Sequence, residues 1–106
     1  MNSIVNKPLF LSQKDSITIA EKVADAYSIS ITDLLSKSRQ QPLPEARKMV
    51  YYLLFNKDYT ISRIARLFGI SRDIVYIAIR EIPFFIDTYP EVKAKHKAIK
   101  EKLNGY

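Results

Sequence analysis

The side chains best equipped for chemistry in this sequence are cations, and most of the useful ones fall in two runs. One run holds Lys37, Arg39, Gln40, Arg47 and Lys48 against the lone carboxylate of Glu45. The other passes from Ser62 and Arg63 through Ser71, Arg72 and Asp73 to Tyr76, Ile77 and Arg80. A guanidinium is a planar fork that bonds two acceptors at once, so arginine-bearing runs suit phosphates and other planar acceptors. A third run, Lys93, Lys95, Lys97, Lys100 and Lys102, has no arginine and fits a solvated helix face.

Other chemistries are poorly supplied. The chain has no cysteine and one histidine, which excludes disulfides, thiolate nucleophiles and cysteine-based zinc sites. His96 falls on an apolar stripe, where packing is a better reading than catalysis. The carboxylates that could pair, Asp15 with Glu21 or Asp25 with Asp33, occupy surface-like helix positions. No enzyme is expected, and no cofactor, metal or nucleotide partner. Seven tyrosines invite stacking on single strands, but Tyr27, Tyr51 and Tyr52 lie on or beside core stripes, which favours packing.

The 106 residues fit one small domain. Seventeen Lys and Arg against eleven Asp and Glu give a net charge of +6, a balance that favours polyanionic partners. No apolar stretch approaches the ~20 residues of a membrane span, and the chain does not start with the pattern of a secretion signal. A cytoplasmic protein without a membrane partner is expected.

The elements that must position the cations are helical. Residues 1–12 show no helical period and are expected to form a flexible arm, with the domain spanning 13–106. A first helix, capped by Asp15 or Ser16, sets Ile17, Ala20, Val23, Ala24 and Tyr27 on one face. Ser30 and Asp33 form a capping box for a short helix over 31–36. Ser36 to Pro44 is a polar, basic loop, after which Pro44 opens a long helix that runs to about Asn56, with Ala46, Met49, Val50, Leu53 and Leu54 inward and Tyr51, Tyr52 and Phe55 widening that face. A helix over 60–68, capped by Thr60 or Ser62, ends at Gly69. Ser71 caps the next, through about Ile82, where Pro83 should break or kink it. A last helix starts near Pro90 and aligns Val92, His96, Ile99 and Leu103. No segment alternates as a strand does, so the fold class is all-α.

Within that frame, residues 60–82 have the layout of a helix-turn-helix. Ala65 permits a close crossing, Gly69 makes the turn, Val75 plugs the second helix into the shared core, and Ile64, Phe68, Ile70 and Ala78 fill the other inward positions. With Ile74, Val75, Ala78 and Ile82 inward, the second helix turns Arg72, Asp73, Tyr76, Ile77 and Arg80 outward. Such a helix suits the major groove of duplex DNA: Arg72 matches guanine, Asp73 matches cytosine or orients Arg72, and Ile77 matches a thymine methyl. Ser71 and the amides beside it suit a phosphate. Asp73 fits equally well as a helix N-terminal charge favoured by the dipole.

The detail of residues 27–69 carries a resemblance. An aromatic and isoleucines precede Asp33-Leu34-Leu35-Ser36-Lys37-Ser38-Arg39; Ala46-Arg47 opens the long helix, with Tyr52-Leu53 inside it; and Ile64-Ala65-Arg66-Leu67-Phe68-Gly69 ends the first helix of the pair. Together they resemble the C-terminal DNA-binding domain of the bacterial replication initiator family DnaA, from Ile17 onward, with a TrpR-like helix-turn-helix fold. The resemblance implies that Arg39 enters a minor groove, with Lys37 and Gln40 beside it, that Arg47 and Lys48 touch phosphates, and that Ser62 and Arg63 lie at the same surface. The chain departs from the family at Ile70-Ser71-Arg72-Asp73-Ile74-Val75-Tyr76, where the family has G-R-D-H-[ST]-T-V, and it has no G-x-x-x-x-G-K-[ST] phosphate loop. The expectation is a site-specific duplex-DNA binder, a monomer on DNA by default, that regulates replication initiation or transcription in a bacterium, phage or mobile element without ATPase activity. The alternative is a protein-interaction module, a partner or antagonist of an initiator, that kept the scaffold and lost base reading.

Overall fold

The long helix Leu43–Asn56 has apolar residues around more of its circumference than one neighbour needs, with Ala46, Met49, Val50, Tyr51, Leu53 and Leu54 all buried. It therefore becomes the post around which the others pack. The computed structural model describes residues 14–103 and contains, among them, six helices and no strand. We label them α1 Lys14–Tyr27, α2 Ile31–Leu34, α3 Leu43–Asn56, α4 Ile61–Phe68, α5 Arg72–Thr88 and α6 Pro90–Leu103. Helix α3 contacts α1, α2, α4 and α5, while α6 closes the far side against α1 and α5. The expected arm at residues 1–12 lies outside the described residues.

The helix boundaries follow the local chemistry except where packing overrides it. Ser30, Thr60 and Ser71 cap α2, α4 and α5, their side-chain oxygens accepting from the amides of Asp33, Arg63 and Ile74. Neither Asp15 nor Ser16 caps α1. Both lie inside it, because the stripe of Ile19, Ala20, Val23 and Tyr27 extends back through the buried Ser16. Ile19, not Ile17, is the fully buried isoleucine of that stripe. Helix α2 stops at Leu34, short of the expected 36, and α3 begins at Leu43, with Pro44 inside its first turn. Phe55 stays exposed, so it does not widen the face of α3.

The largest correction is at Pro83. The helix does not end there but continues to Thr88. An internal proline costs a helix about 3 kcal/mol, yet Val75, Ala78, Ile82 and Ile86 recur at helical steps across it and pack on the core. Their burial, at ~1.5–3 kcal/mol per large side chain, outweighs the proline. The chain turns only at Tyr89, whose extended backbone is what a residue before proline prefers.

Three helices end in the same hydrogen-bonded turn. After α1 the Ile29 amide donates to Ala24 O, after α3 the Tyr59 amide donates to Leu54 O, and after α4 the Ile70 amide donates to Ala65 O. Each turn puts one residue at positive φ: Ser28 at 56°, Asp58 at 70° and Gly69 at 65°. Only Gly69 escapes the Cβ clash with the backbone. Space around Gly69 is open, with nothing within 4 Å of an added Cβ. Gly69→Ala should therefore cost only the backbone penalty of about 1–2 kcal/mol, whereas Ser28→Gly should stabilise by about 0.5–1 kcal/mol. Denaturant midpoints of the two variants check this, and changes of the same sign would contradict the shared turn.

His96 lies on α6 against the Tyr52 ring, centroids 6.0 Å apart, with Nε2 buried and no hydrogen-bond partner for it among the described residues. Burial, and then the nearby Lys100 ammonium, hold its pKa below the usual 6.5. The folded state favours the neutral ring, so the unfolded chain takes up the proton first as pH falls. This contribution is complete above the ordinary histidine range and is lost as pH drops through the lower folded value. His96→Phe keeps a ring beside Tyr52 and removes the titration. Its Tm should fall less than the parent's between about pH 7.5 and pH 5, and parallel curves would refute the assignment.

Candidate nucleic-acid interface

Helices α4 and α5 form the helix-turn-helix. Ile64, Val75 and Ala78 are fully buried between them and α3, with Ala65 nearly so. Phe68 and Ile70 pack on the edge of that core, and Phe68 meets Tyr51 edge to face at 5.1 Å. Burial pushes the Tyr51 hydroxyl up to about 12, with the Arg47 charge opposing the shift. Leu67, left unassigned in the sequence, is buried too, because α4 packs on α3 as well as on α5.

The stripe Val75, Ala78 and Ile82 fixes which side of α5 faces solvent. Arg72, Asp73, Tyr76 and Arg80 are exposed, Tyr76 by 60%, while Ile77 is half-buried. Ile74, expected inward, is 42% exposed. It sits at the flank of the helix, beyond the reach of the stripe that α3 and α4 cover. Ser71 is exposed at the cap, and on α4 Ser62 and Arg63 are exposed, the Arg63 guanidinium lying 4.2 Å from the centre of the Tyr59 ring.

The loop between α2 and α3 comes to the same side. Lys37, Arg39 and Gln40 are exposed on it, and Arg47, at the start of α3, reaches into its backbone. Lys48 is half-buried and pairs with Glu81 of α5 at 2.6 Å. Between loop and turn lies an open groove of about 850 Å³ with a mainly apolar floor, including Leu67, Phe68 and Ile70. Lys37, Arg39, Arg66 and Ile74 also line it. The first basic run thus faces Arg66 of α4, the turn at Gly69 and Ile70, and Ile74 of α5 across one groove, while Arg63, Arg72 and Arg80 lie outside its lining. Arg66 was missed as a site residue, although it follows Arg63 by three on the polar face of α4; that spacing was the available signal. On the opposite edge, the Tyr27 hydroxyl donates to Glu45, and burial raises its pKa above the usual tyrosine range. This bond ties the end of α1 to the first turn of α3.

Among the described residues no group of His, Cys, Asp and Glu could hold a metal ion, and no helix is long and apolar enough to cross a membrane. The family model described as bacterial DnaA protein helix-turn-helix matches residues 17–82, which take in the basic loop, α4, the turn and α5 as far as Ile82. The chromosomal replication initiator protein DnaA of Spiroplasma citri is 32% identical over 101 residues, a match that covers 90% of this chain. The chain spans 22% of that relative's length. With the match covering most of the sequence and an all-helical architecture built around the same helix-turn-helix, the chain belongs to the bacterial DnaA helix-turn-helix family.

Proposed function

We propose that this domain binds duplex DNA site-specifically, with α5 in the major groove and the loop before α3 in the adjacent minor groove, in the control of replication initiation or transcription. The observation that carries the reading is the meeting of the exposed loop cations Lys37 and Arg39 with Arg66 of α4, the turn at Gly69 and Ile70, and Ile74 in the first turn of α5 around one groove. A helix-turn-helix reads bases from the N-terminal part of its second helix. Arg72 is placed there for guanine, Asp73 for cytosine or for orienting Arg72, and Tyr76, Ile77 and Arg80 follow along the face. Arg39 and its neighbours Lys37 and Gln40 serve the minor groove, and the Ser71 cap with its free amides serves a phosphate. Ser62, Arg63 and Lys48 are assigned to phosphates beside the two grooves in this reading. Each chain offers one reader, so a monomer on an asymmetric site is the expected unit. These residues contain no nucleotide-binding loop, so the domain supplies DNA contact and no ATPase step.

The exposed Ile74 and the apolar floor of the groove favour a second reading, in which the same face docks a protein and base reading is lost. Salt titration separates the two. About five phosphate contacts give log K against log salt a slope of roughly −4 to −5, and a flat dependence or no duplex binding at low salt would leave only the protein-docking reading. On a duplex selected from a random pool, Arg72→Ala should cost about 1–3 kcal/mol and relax preference at one base pair. Arg39→Ala should weaken binding mainly where an A/T-rich minor groove flanks the site. Equal losses on every sequence in both variants would contradict this division of labour.

A further inference from the structure

Arg47 belongs to the cation runs, but its guanidinium is turned toward the protein. Nε donates to Leu34 O at 2.8 Å and Nη1 to Ser38 O at 2.6 Å, while Nη2 donates to Asp33 O and to Ser36 Oγ, both at 3.3 Å. Both Asp33 O and Leu34 O are carbonyls at the end of α2, where helices run out of backbone partners; Asp33 O also accepts from the Ser36 amide at 3.1 Å. The acceptors at Ser36 and Ser38 flank Lys37 and directly precede Arg39. A chain of local bonds extends the hold: Ser36 Oγ donates to Asp33 O at 2.7 Å, the Ser38 amide to Ser36 Oγ at 3.3 Å, and the Gln40 amide to Ser38 Oγ at 3.2 Å.

We propose that Arg47 is a positioning residue that clamps the basic loop from the start of α3 and sets where Lys37 and Arg39 are presented, rather than a phosphate contact. The next residue, Lys48, bonds Glu81 of α5 at 2.6 Å. Consecutive residues of one rigid helix thus reach the loop on one side and the second helix of the pair on the other, which fixes the spacing between the two. The task needs a planar fork: an ammonium at the same place has its three donors on one atom and cannot serve acceptors spread from Asp33 to Ser38. Without the clamp the loop keeps only short-range bonds, those of its serines and the Leu43 amide to Gln40 O at 2.9 Å, to oppose the conformational entropy of an exposed segment.

The DNA arm of the test rests on the proposed function, but a second arm does not. The bonds after Lys37 and Arg39 are trypsin sites within the clamped loop. In the full chain, Arg47→Lys keeps the charge and most of the stem. It should speed cleavage after Lys37 and Arg39 about tenfold, in line with the loss of charge-assisted hydrogen bonds, while cleavage after Arg80 in α5 stays at the parent rate. Unchanged loop cleavage, or equal acceleration at all three sites, would overturn the clamp whether or not DNA binds. On a selected duplex, Arg47→Lys should weaken binding about tenfold with the parent's salt slope, and should add little once Arg39→Ala is present, because both then act through one contact. Parent-like affinity for Arg47→Lys, or full additivity with Arg39→Ala, would return Arg47 to the phosphate role. Absence of duplex binding by the parent itself would overturn the proposed function and leave the clamp to the protease arm.

Discussion

The burial of α3 is the constraint on which the rest depends. A helix whose apolar residues reach most of the way around must be covered from several directions, and α1, α2, α4 and α5 supply that cover. Once they are in place, the start of α3 can point in only one way. Glu45 meets Tyr27 at the end of α1, Arg47 meets the end of α2, and Lys48 meets α5. These polar contacts come from neighbouring positions of one rigid turn, so the arrangement of the loop and the helix-turn-helix inherits the precision of the core. The Lys48–Glu81 pair is partly exposed and contributes little to stability by itself. Its value lies in geometry.

A second economy is visible at the helix ends. The tight turn of the helix-turn-helix is often treated as a special device, but here the same hydrogen-bonded turn also ends α1 and α3. What distinguishes the turn after α4 is that it carries the glycine. At Ser28 and Asp58 the chain tolerates a left-handed residue with a side chain, as short polar residues do more readily than branched ones. The unstrained copy thus falls at the turn that sets the crossing of α4 and α5 and borders the groove.

Local chemistry in the sequence was legible wherever the deciding atoms are close along the chain. Ser30, Thr60, Ser71 and Gly69 announce helix limits because their partners lie three to five residues away. The core stripe of α3 was equally plain, since Ala46, Met49, Val50, Leu53 and Leu54 recur at helical steps. Pro83 misled because its local penalty is large and certain, whereas the burial that overcomes it depends on α3 and α6, which no window around Pro83 contains. Ile74 was expected inward and is exposed, and Leu67 was assigned to neither side and is buried, for one reason: periodicity tells that a helix has an apolar side but not how many neighbours cover it. The role of Arg47 was hidden more deeply. Its acceptors are mostly backbone carbonyls, which every residue possesses and no sequence displays.

The same division bears on how discrimination would arise under the proposed function. Base reading rests on hydrogen bonds that an incorrect base leaves unmade, and each good bidentate pair is worth about 1–3 kcal/mol. The family's histidine and threonines are absent from this reader, which follows the Arg72-Asp73 pair with Ile74, Val75 and Tyr76, and Val75 is buried in the core. The exposed hydrogen-bonding groups of the face then reduce to Arg72, Asp73, the Tyr76 hydroxyl and Arg80, with Ile74 and Ile77 offering contact to methyl groups alone. Under that function a face so composed would lean more on the loop before α3 for its affinity. That makes the rigidity of the loop, and hence the fork that pins it to α3, matter more here than in a relative whose reader helix carries a full set of polar side chains.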